Sequence, residues 1–300
     1  MHYLVEKILA LPIEQKEQVI KQVLSEATAI PETKIDKYVV SSMLDYVDEA
    51  RERLKDFGKM QGISSGYPSL DKLTKGFVGG ELTVIAGKTS YGKTTLAMNI
   101  ANNVALLDHR VLFVTLEMTK TELTSRYMHI NGGETDEFLQ AAANTIYQEN
   151  DELNWQDIDG LITNAKKQLN VDLVVIDHLH YFTRELENVA EDLGRITKEI
   201  KKNAIQHNLP VILISHVRKT NNKPVTMEDL RGSSYISQDA DIVLIIGRDP
   251  SNETSFPIKV EKNRNRGFDQ ANPSAILRFD STKITERSNG DVDINSLFDH

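Results

Sequence analysis

From residue 61 onward the apolar positions gather into short runs with almost no polar interruption: LTVIAG (82–87), RVLFVTLE (110–117), VDLVVIDH (171–178), LPVILISH (209–216) and ADIVLIIGR (240–248). A strand with one wet face alternates apolar and polar residues, whereas a strand covered on both faces does not. These runs therefore predict parallel strands in the interior of a sheet. Residues 94–107, between the first and second runs, and 188–207, between the third and fourth, read as helices. Repeated strand–helix–strand units of this kind build a doubly wound α/β domain. FPIKVEKNR (256–264) and AILRFD (275–280) predict a terminal antiparallel extension of the sheet.

The first 60 residues have a different texture. Pro12 suits a first helical position, after which Val19, Ile20, Val23, Leu24 and Ala27 share one face. Beyond Pro31, Val40, Met43, Leu44, Val47, Arg51, Leu54 and Phe57 keep a 3.6-residue period until Gly58. The expected organisation is a short helical segment (1–35), a second helix (36–60) whose apolar stripe needs a partner, and an α/β domain (61–300). No internal repeat or low-complexity tract interrupts it.

Composition narrows the function. Of 300 residues, 40% are hydrophobic, enough for a proper core. There is no cysteine, which excludes a disulfide framework, a cysteine-bound zinc and a thiol nucleophile. No run of 18 apolar residues occurs, and Glu6, Lys7 and Glu14 interrupt the opening stretch, so neither a membrane span nor a signal peptide is expected. A cytoplasmic location follows as the expectation, with no membrane partner. The net charge of −9, taken as a total, opposes a nucleic-acid partner. Its distribution removes the objection: residues 131–160 hold eight acids and no Lys or Arg, leaving about −1 for the other 270 residues. At physiological salt the Debye length is about 8 Å, so a remote acidic patch need not repel DNA from the basic stretches 218–223 and 259–267. Segment 131–160 is expected to lie away from any DNA path.

The chemistry starts at Gly87-Lys88-Thr89-Ser90-Tyr91-Gly92-Lys93-Thr94, which matches GxxxxGK[ST] between a strand run and a helix. Such a loop turns backbone N–H groups onto phosphate oxygens, and the helix aims its positive end at the same point. Gly87, Ser90, Gly92, Lys93, Thr94 and Thr95 are the expected nucleotide-binding residues, with ATP and Mg2+ as cofactors. Lys93 should reach the β- and γ-phosphates and the Thr94 hydroxyl should ligate the metal. Asp177, closing LVVID, is the expected second Mg2+ partner. Many P-loop ATPases place a glutamate after this aspartate, but His178 stands here. Glu117, at the end of FVTLEM, is the substitute for orienting or deprotonating the attacking water. His216, ending ILISH, is placed to sense the γ-phosphate. The His178/His180 pair alone would suggest a metallohydrolase, but no HxxxH or HExxH spacing supports it.

These motifs, in their order, resemble the RecA-like hexameric replicative helicases, which include the DnaB type and the helicase halves of phage primase–helicases and mitochondrial Twinkle. The likeness spans residues 36–287. GISSGYPSLDKLTKGFVGGELTVIAGKTSYGKTTLAMNIA resembles the family's entry into its first strand and P-loop. LFVTLEM resembles the segment with the catalytic glutamate, VVIDHLH the Walker B strand and LPVILISH the sensor strand. DLRGSSYISQDADIVLIIGRD (229–249) is similar to the fourth block, and EKNRNRG (261–267) to the segment that enters the next subunit's ATP site. The resemblance implies a RecA-like fold and a homohexameric ring with ATP sites between subunits. Arg264 would then be the trans-acting arginine finger with Lys262 beside it. Arg266 is the alternative, because N-R-N-R leaves the register open.

The resemblance also implies a pore lined by loops after the Walker B and sensor strands. The second would present Arg218, Lys219 and Lys223, and the first His180, Tyr181 and Arg184, to a single DNA strand. The implied activity is 5′→3′ translocation and duplex unwinding in chromosome, plasmid or phage replication, in a bacterial or phage-infected cell. A primase or helicase loader is the implied further partner. Two departures stand out: DnaB-type chains usually carry glutamine where His216 stands, and residues 1–35 are too short for the DnaB N-terminal domain. The competing expectations are a RecA- or KaiC-like ATPase or recombinase, and a non-motor helicase-like interaction protein.

Overall fold

A computed structural model describes residues 59–115, 117–148, 153–177, 189–217, 225–230, 238–249, 251–264 and 273–286. It also describes 33–35, 38–40, 43–48 and isolated residues elsewhere. The chain divides into two compact units, Met1–Phe57 and Gly58–His300.

In the first unit, β1 (Thr33–Ile35) and β2 (Tyr38–Val40) pair antiparallel, with Ile35 opposite Tyr38 and Thr33 opposite Val40. This corrects the expectation of helix on both sides of residue 35. Thr33, Ile35, Val39 and Val40 are β-branched, and only two residues separate the strands, so pairing prevails over the helical period that Val40 happens to fit. A 3-10 turn occupies Met43–Tyr46, and Val47, Asp48 and Arg51 are helical. Met43, assigned to the apolar stripe, is 89% exposed in the single chain.

The second unit holds a nine-stranded sheet. Its strands in chain order are β3 (Leu82–Gly87), β4 (Val111–Thr115), β5 (Thr145–Tyr147), β6 (Leu173–Asp177), β7 (Val211–His216), β8 (Ile242–Ile246), β9 (Ser255–Asn263), β10 (Ser274–Asp280) and β11 (Lys283–Glu286). The order across the sheet is β11-β10-β9-β8-β3-β7-β6-β4-β5. The six strands from β8 to β5 run parallel, and β9 to β11 extend the sheet antiparallel. All five long apolar runs form parallel strands, as expected of chain covered on both faces.

Among the described residues, six helices flank the sheet: α1 (Pro68–Thr74), α2 (Lys93–Leu106), α3 (Lys120–Ile130), α4 (Asp136–Asn144), α5 (Ile158–Leu169) and α6 (Val189–His207). Two cores result. Ile85, Phe113, Val175, Ile212 and Leu244 face Leu70, Leu96, Leu123 and Phe138 of α1 to α4. Val84, Leu112, Ile176, Leu213 and Val243 face Ile158, Ile162, Leu193 and Ile200 of α5 and α6. Neighbouring strand residues thus enter opposite cores, which is why the runs show no polar alternation. The acidic segment holds α4, the edge strand β5 and the start of α5. Among the described residues, no helix is long and apolar enough to cross a membrane.

Candidate nucleotide site

Parallel pairing aligns the strand ends that carry the chemistry. Gly87 of β3 lies opposite His216 of β7, and Thr115 of β4 lies opposite Asp177 of β6. The loop leaving β3 feeds α2 through Gly92 at φ 85°, a left-handed backbone that favours glycine. A Cβ at Gly92 would also stand 2.8 Å from Phe256 Cε2. Ser90 holds φ 65°, so the loop carries a second left-handed residue that is not glycine. A Cβ at Gly87 would come within 3.3 Å of the Ile246 carbonyl oxygen, which explains the first glycine by close backbone approach.

These ends surround a cleft of about 890 Å³. It is lined by loop residues Thr89 to Thr95, by Glu117, Asp177 and His216, and by Arg248, Glu253, Phe256 and Phe279. Lys93 is buried and donates from Nζ to the Lys88 carbonyl at 3.0 Å. Burial pulls its ammonium down to about pKa 8, against the attraction of Asp177 and Glu117. Asp177 is the counterpart. Both of its carboxylate oxygens are buried with no hydrogen bond of ordinary geometry. Burial pushes it up to about pKa 7; Glu117 adds to the rise, while the Thr94 hydroxyl, Lys93 and Arg126 oppose it.

A buried carboxylate with no well-formed hydrogen bond is costly, and a cation brought against it relieves that cost. Among the described residues no group of three or more His, Cys, Asp or Glu could form a metal cage. A site offering one carboxylate beside one threonine hydroxyl fits Mg2+, which keeps waters and takes its remaining oxygens from substrate phosphates.

Glu117 stands two residues beyond Thr115, and its backbone N–H donates to the Thr115 hydroxyl at 3.3 Å. The helix after it starts at Lys120, closed by a capping box between Thr119 and Glu122. Glu117 is therefore not a helix-terminal acid but part of the cleft wall.

The structure brings Lys93, Thr94, Thr95, Ser90, Gly92, Glu117, Asp177 and His216 together, and it separates Lys262 and Arg264 from them. Asn263, at the end of β9, lies opposite Ile242, the first residue of β8, which is level with Thr83 near the start of β3. Arg264 is thus at the opposite end of the sheet from Gly87, displaced by about 16 Å along the strand direction at 3.3 Å per residue and two strands to the side. There its guanidinium donates to the Gln238 carbonyl, and Lys262 Nζ donates to the Ala240 carbonyl at 2.6 Å. Burial, then the charge of Arg264, lowers the Lys262 pKa. The remaining expected contacts, His178, His180, Tyr181, Arg184, Arg218, Lys219, Lys223 and Arg266, lie outside the described residues.

Arg248, Glu253, Phe256, Phe279 and Arg126 are not among the expected residues. Arg248 follows the run ADIVLII, so the strand-end rule that selects Asp177 and His216 applies equally to it. Phe256 and Phe279 come from β9 and β10, with ring centroids 6.0 Å apart. Only the antiparallel register of those strands brings the two rings to the cleft.

Known proteins share this fold. The family model for the DnaB-like helicase C-terminal domain matches residues 62–280. A probable replicative DNA helicase of Trieres chinensis is 32% identical over 227 residues, which is 63% of this chain and 48% of that protein. One solved structure of an isolated ATPase domain superposes with a TM-score of 0.71 at 21% identity, covering 82% of this chain and 99% of that one. A DnaB-like replicative helicase, solved in a study of its interactions with primase, gives 0.69 at 20% identity over 96% of this chain and 75% of that one. The sheet order and helix placement are those of RecA-like P-loop ATPase domains. The chain spans about half the length of the curated relatives it matches.

Proposed function

Because the chain belongs to the DnaB-like helicase C-terminal domain family, we propose that it is an ATP-hydrolysing motor of a replicative DNA helicase, working as a ring on single-stranded DNA. The observation that carries this reading is that buried Lys93 and the buried carboxylate of Asp177 line one cleft at the mouth of the phosphate loop. Two opposite buried charges, each pushed toward neutrality by burial, are matched by a ligand carrying both phosphate anions and a cation.

ATP would enter with its phosphates on the N–H groups of residues 88–94 and on Lys93. Arg248 and the rings of Phe256 and Phe279 would receive the nucleoside end, since they line the same cleft. Thr94 and Asp177 would hold Mg2+, which supplies charge neutralisation for the phosphates. Glu117, on the cleft wall at the end of β4, would orient a water and accept its proton. His216, level with Gly87, would contact the terminal phosphate and relay its loss along β7.

Arg264 cannot reach this cleft in its own chain, so the charge it supplies would go to a neighbouring copy. That supports the ring assembly the family likeness implies. Hydrolysis at successive interfaces would move the loops carrying Arg184, Arg218, Lys219 and Lys223 along the DNA, in the 5′→3′ direction. A primase or loader would bind the assembled ring.

The test is ATP hydrolysis with and without single-stranded DNA, comparing the wild-type chain with Lys93→Ala. The reading expects stimulation by DNA and loss of hydrolysis in the variant. Hydrolysis indifferent to DNA would remove the motor function while leaving the ATP site.

A further inference from the structure

At the sheet end remote from the phosphate loop, one carboxylate gathers groups from three distant parts of the chain. Asp241 is 4% exposed at its side chain. Its Oδ2 accepts from the Leu82 N–H at 2.8 Å and from Lys201 Nζ, on α6, at 2.5 Å. Its Oδ1 stands 3.7 Å from Arg264 Nη1. The Asp241 carbonyl accepts from the Arg264 N–H at 2.8 Å, and Lys201 also donates to the Gly80 carbonyl at 2.7 Å. Gln238 and Ala240, just before it, receive the side chains of Arg264 and Lys262 through their carbonyls. Both basic residues assigned to a neighbouring site therefore rest on residues 238–241. That stretch is fixed in turn by the clamp of Leu82 and Lys201 on Asp241.

The two contacts of Asp241 differ in kind. Its bonds to Leu82 and Lys201 have hydrogen-bond length and little exposure, so they hold. Its approach to Arg264 is longer and the guanidinium is half-exposed, so Asp241 attracts the group while the hydrogen bond itself goes to the Gln238 carbonyl. A finger that must engage another copy's phosphate needs this combination: an aimed but releasable cation on a rigid base.

The geometry points to Asp241 as the positioning residue for Arg264, with Lys201 as the clamp that ties its placement to α6. This rests on the reading of Arg264 as a residue acting in trans. Asp241→Asn keeps an acceptor for the Leu82 N–H while removing the charge. Lys201→Met removes the clamp, and Lys201→Arg restores a cation.

The experiment measures ATP hydrolysis with single-stranded DNA for these three variants and for Arg264→Ala. Asp241→Asn and Lys201→Met are expected to lose about 10- to 100-fold in kcat, the scale of a misplaced catalytic group, with KM for ATP nearly unchanged. Lys201→Arg should recover most of the loss. Mixing Asp241→Asn with excess Lys93→Ala should also restore hydrolysis, because Lys93→Ala contributes an intact Arg264 to the Asp241→Asn clefts. A merely structural defect in Asp241→Asn would not be repaired from a neighbour. Wild-type kcat in both Asp241→Asn and Lys201→Met, or a loss that Lys93→Ala cannot restore, overturns the proposal. Full activity of Arg264→Ala would instead remove the trans reading on which it stands.

Discussion

Asn263 lies directly opposite Ile242, at the sheet end where β3 begins, while Lys93 follows the end of β3. One chain thus carries a nucleotide cleft on one rim of its sheet and a basic pair, Lys262 and Arg264, on the other. On the proposed reading, copies arranged head to tail would bring one rim against the other, and a closed rotation of that contact would make a ring.

Arg264→Ala is expected to bind nucleotide like the wild type, because nothing in the chain's own cleft changes. Its hydrolysis should fall by about 10³-fold or more, the usual contribution of a trans-acting arginine. Titration with a fluorescent ATP analogue beside steady-state hydrolysis separates the two effects.

Glu117→Gln should behave similarly from within the cleft. The amide keeps the shape but cannot take a proton, so kcat should drop about 10²- to 10⁴-fold with nucleotide affinity retained. A comparable loss of affinity would mean that Glu117 serves binding instead.

The two buried charges predict a narrow pH window for kcat/KM, which reports groups of the free protein. Asp177 must be ionised to hold Mg2+, so kcat/KM should fall as pH drops below about 7. Lys93 must be protonated to bind phosphate, so it should fall again above about pH 8. Asp177→Asn should abolish the acid limb along with most activity. A flat profile between about pH 6 and 9 would contradict the assignment.

Gly92→Ala tests the loop itself. The added Cβ meets both a left-handed backbone and the Phe256 ring at 2.8 Å. Destabilisation of about 1–3 kcal/mol and weakened nucleotide binding are expected, measured by chemical unfolding and ATP titration. Adding Phe256→Leu should relieve only the steric part.

Much of the fold is legible in the chain because burial on two faces writes itself as unbroken apolar runs. β3, β4, β6, β7 and β8 lie within the runs, and the phosphate loop sits where a strand run meets a helix. The edges are less legible. Thr145–Tyr147 is three half-buried residues with a partner on one side, too short for a period to show. Lys283–Glu286 buries only Ile284, whose N–H is held by the Asn99 side chain 185 residues earlier at 2.9 Å, a contact no local pattern encodes. The hairpin at 33–40 is hidden because Val40 also fits a helical stripe.

The site divides the same way. Lys93, Thr94 and Asp177 belong to motifs whose spacing follows from the chemistry. Phe256 and Phe279 reach the cleft only through the register of β9 with β10. Arg126, which moderates the charge of Asp177 from α3, has no sequence signal beyond an ordinary helical arginine.

The most direct test of a shared ATP site is to mix Lys93→Ala with Arg264→Ala, each inactive alone, and measure hydrolysis against their ratio in the presence of single-stranded DNA. In mixed assemblies some clefts pair an intact Lys93 with a neighbour's intact Arg264. The account predicts that activity rises from near zero to a maximum at intermediate ratios. If every mixture stays as inactive as its components, or if Arg264→Ala alone hydrolyses ATP at the wild-type rate, the site is not shared between copies.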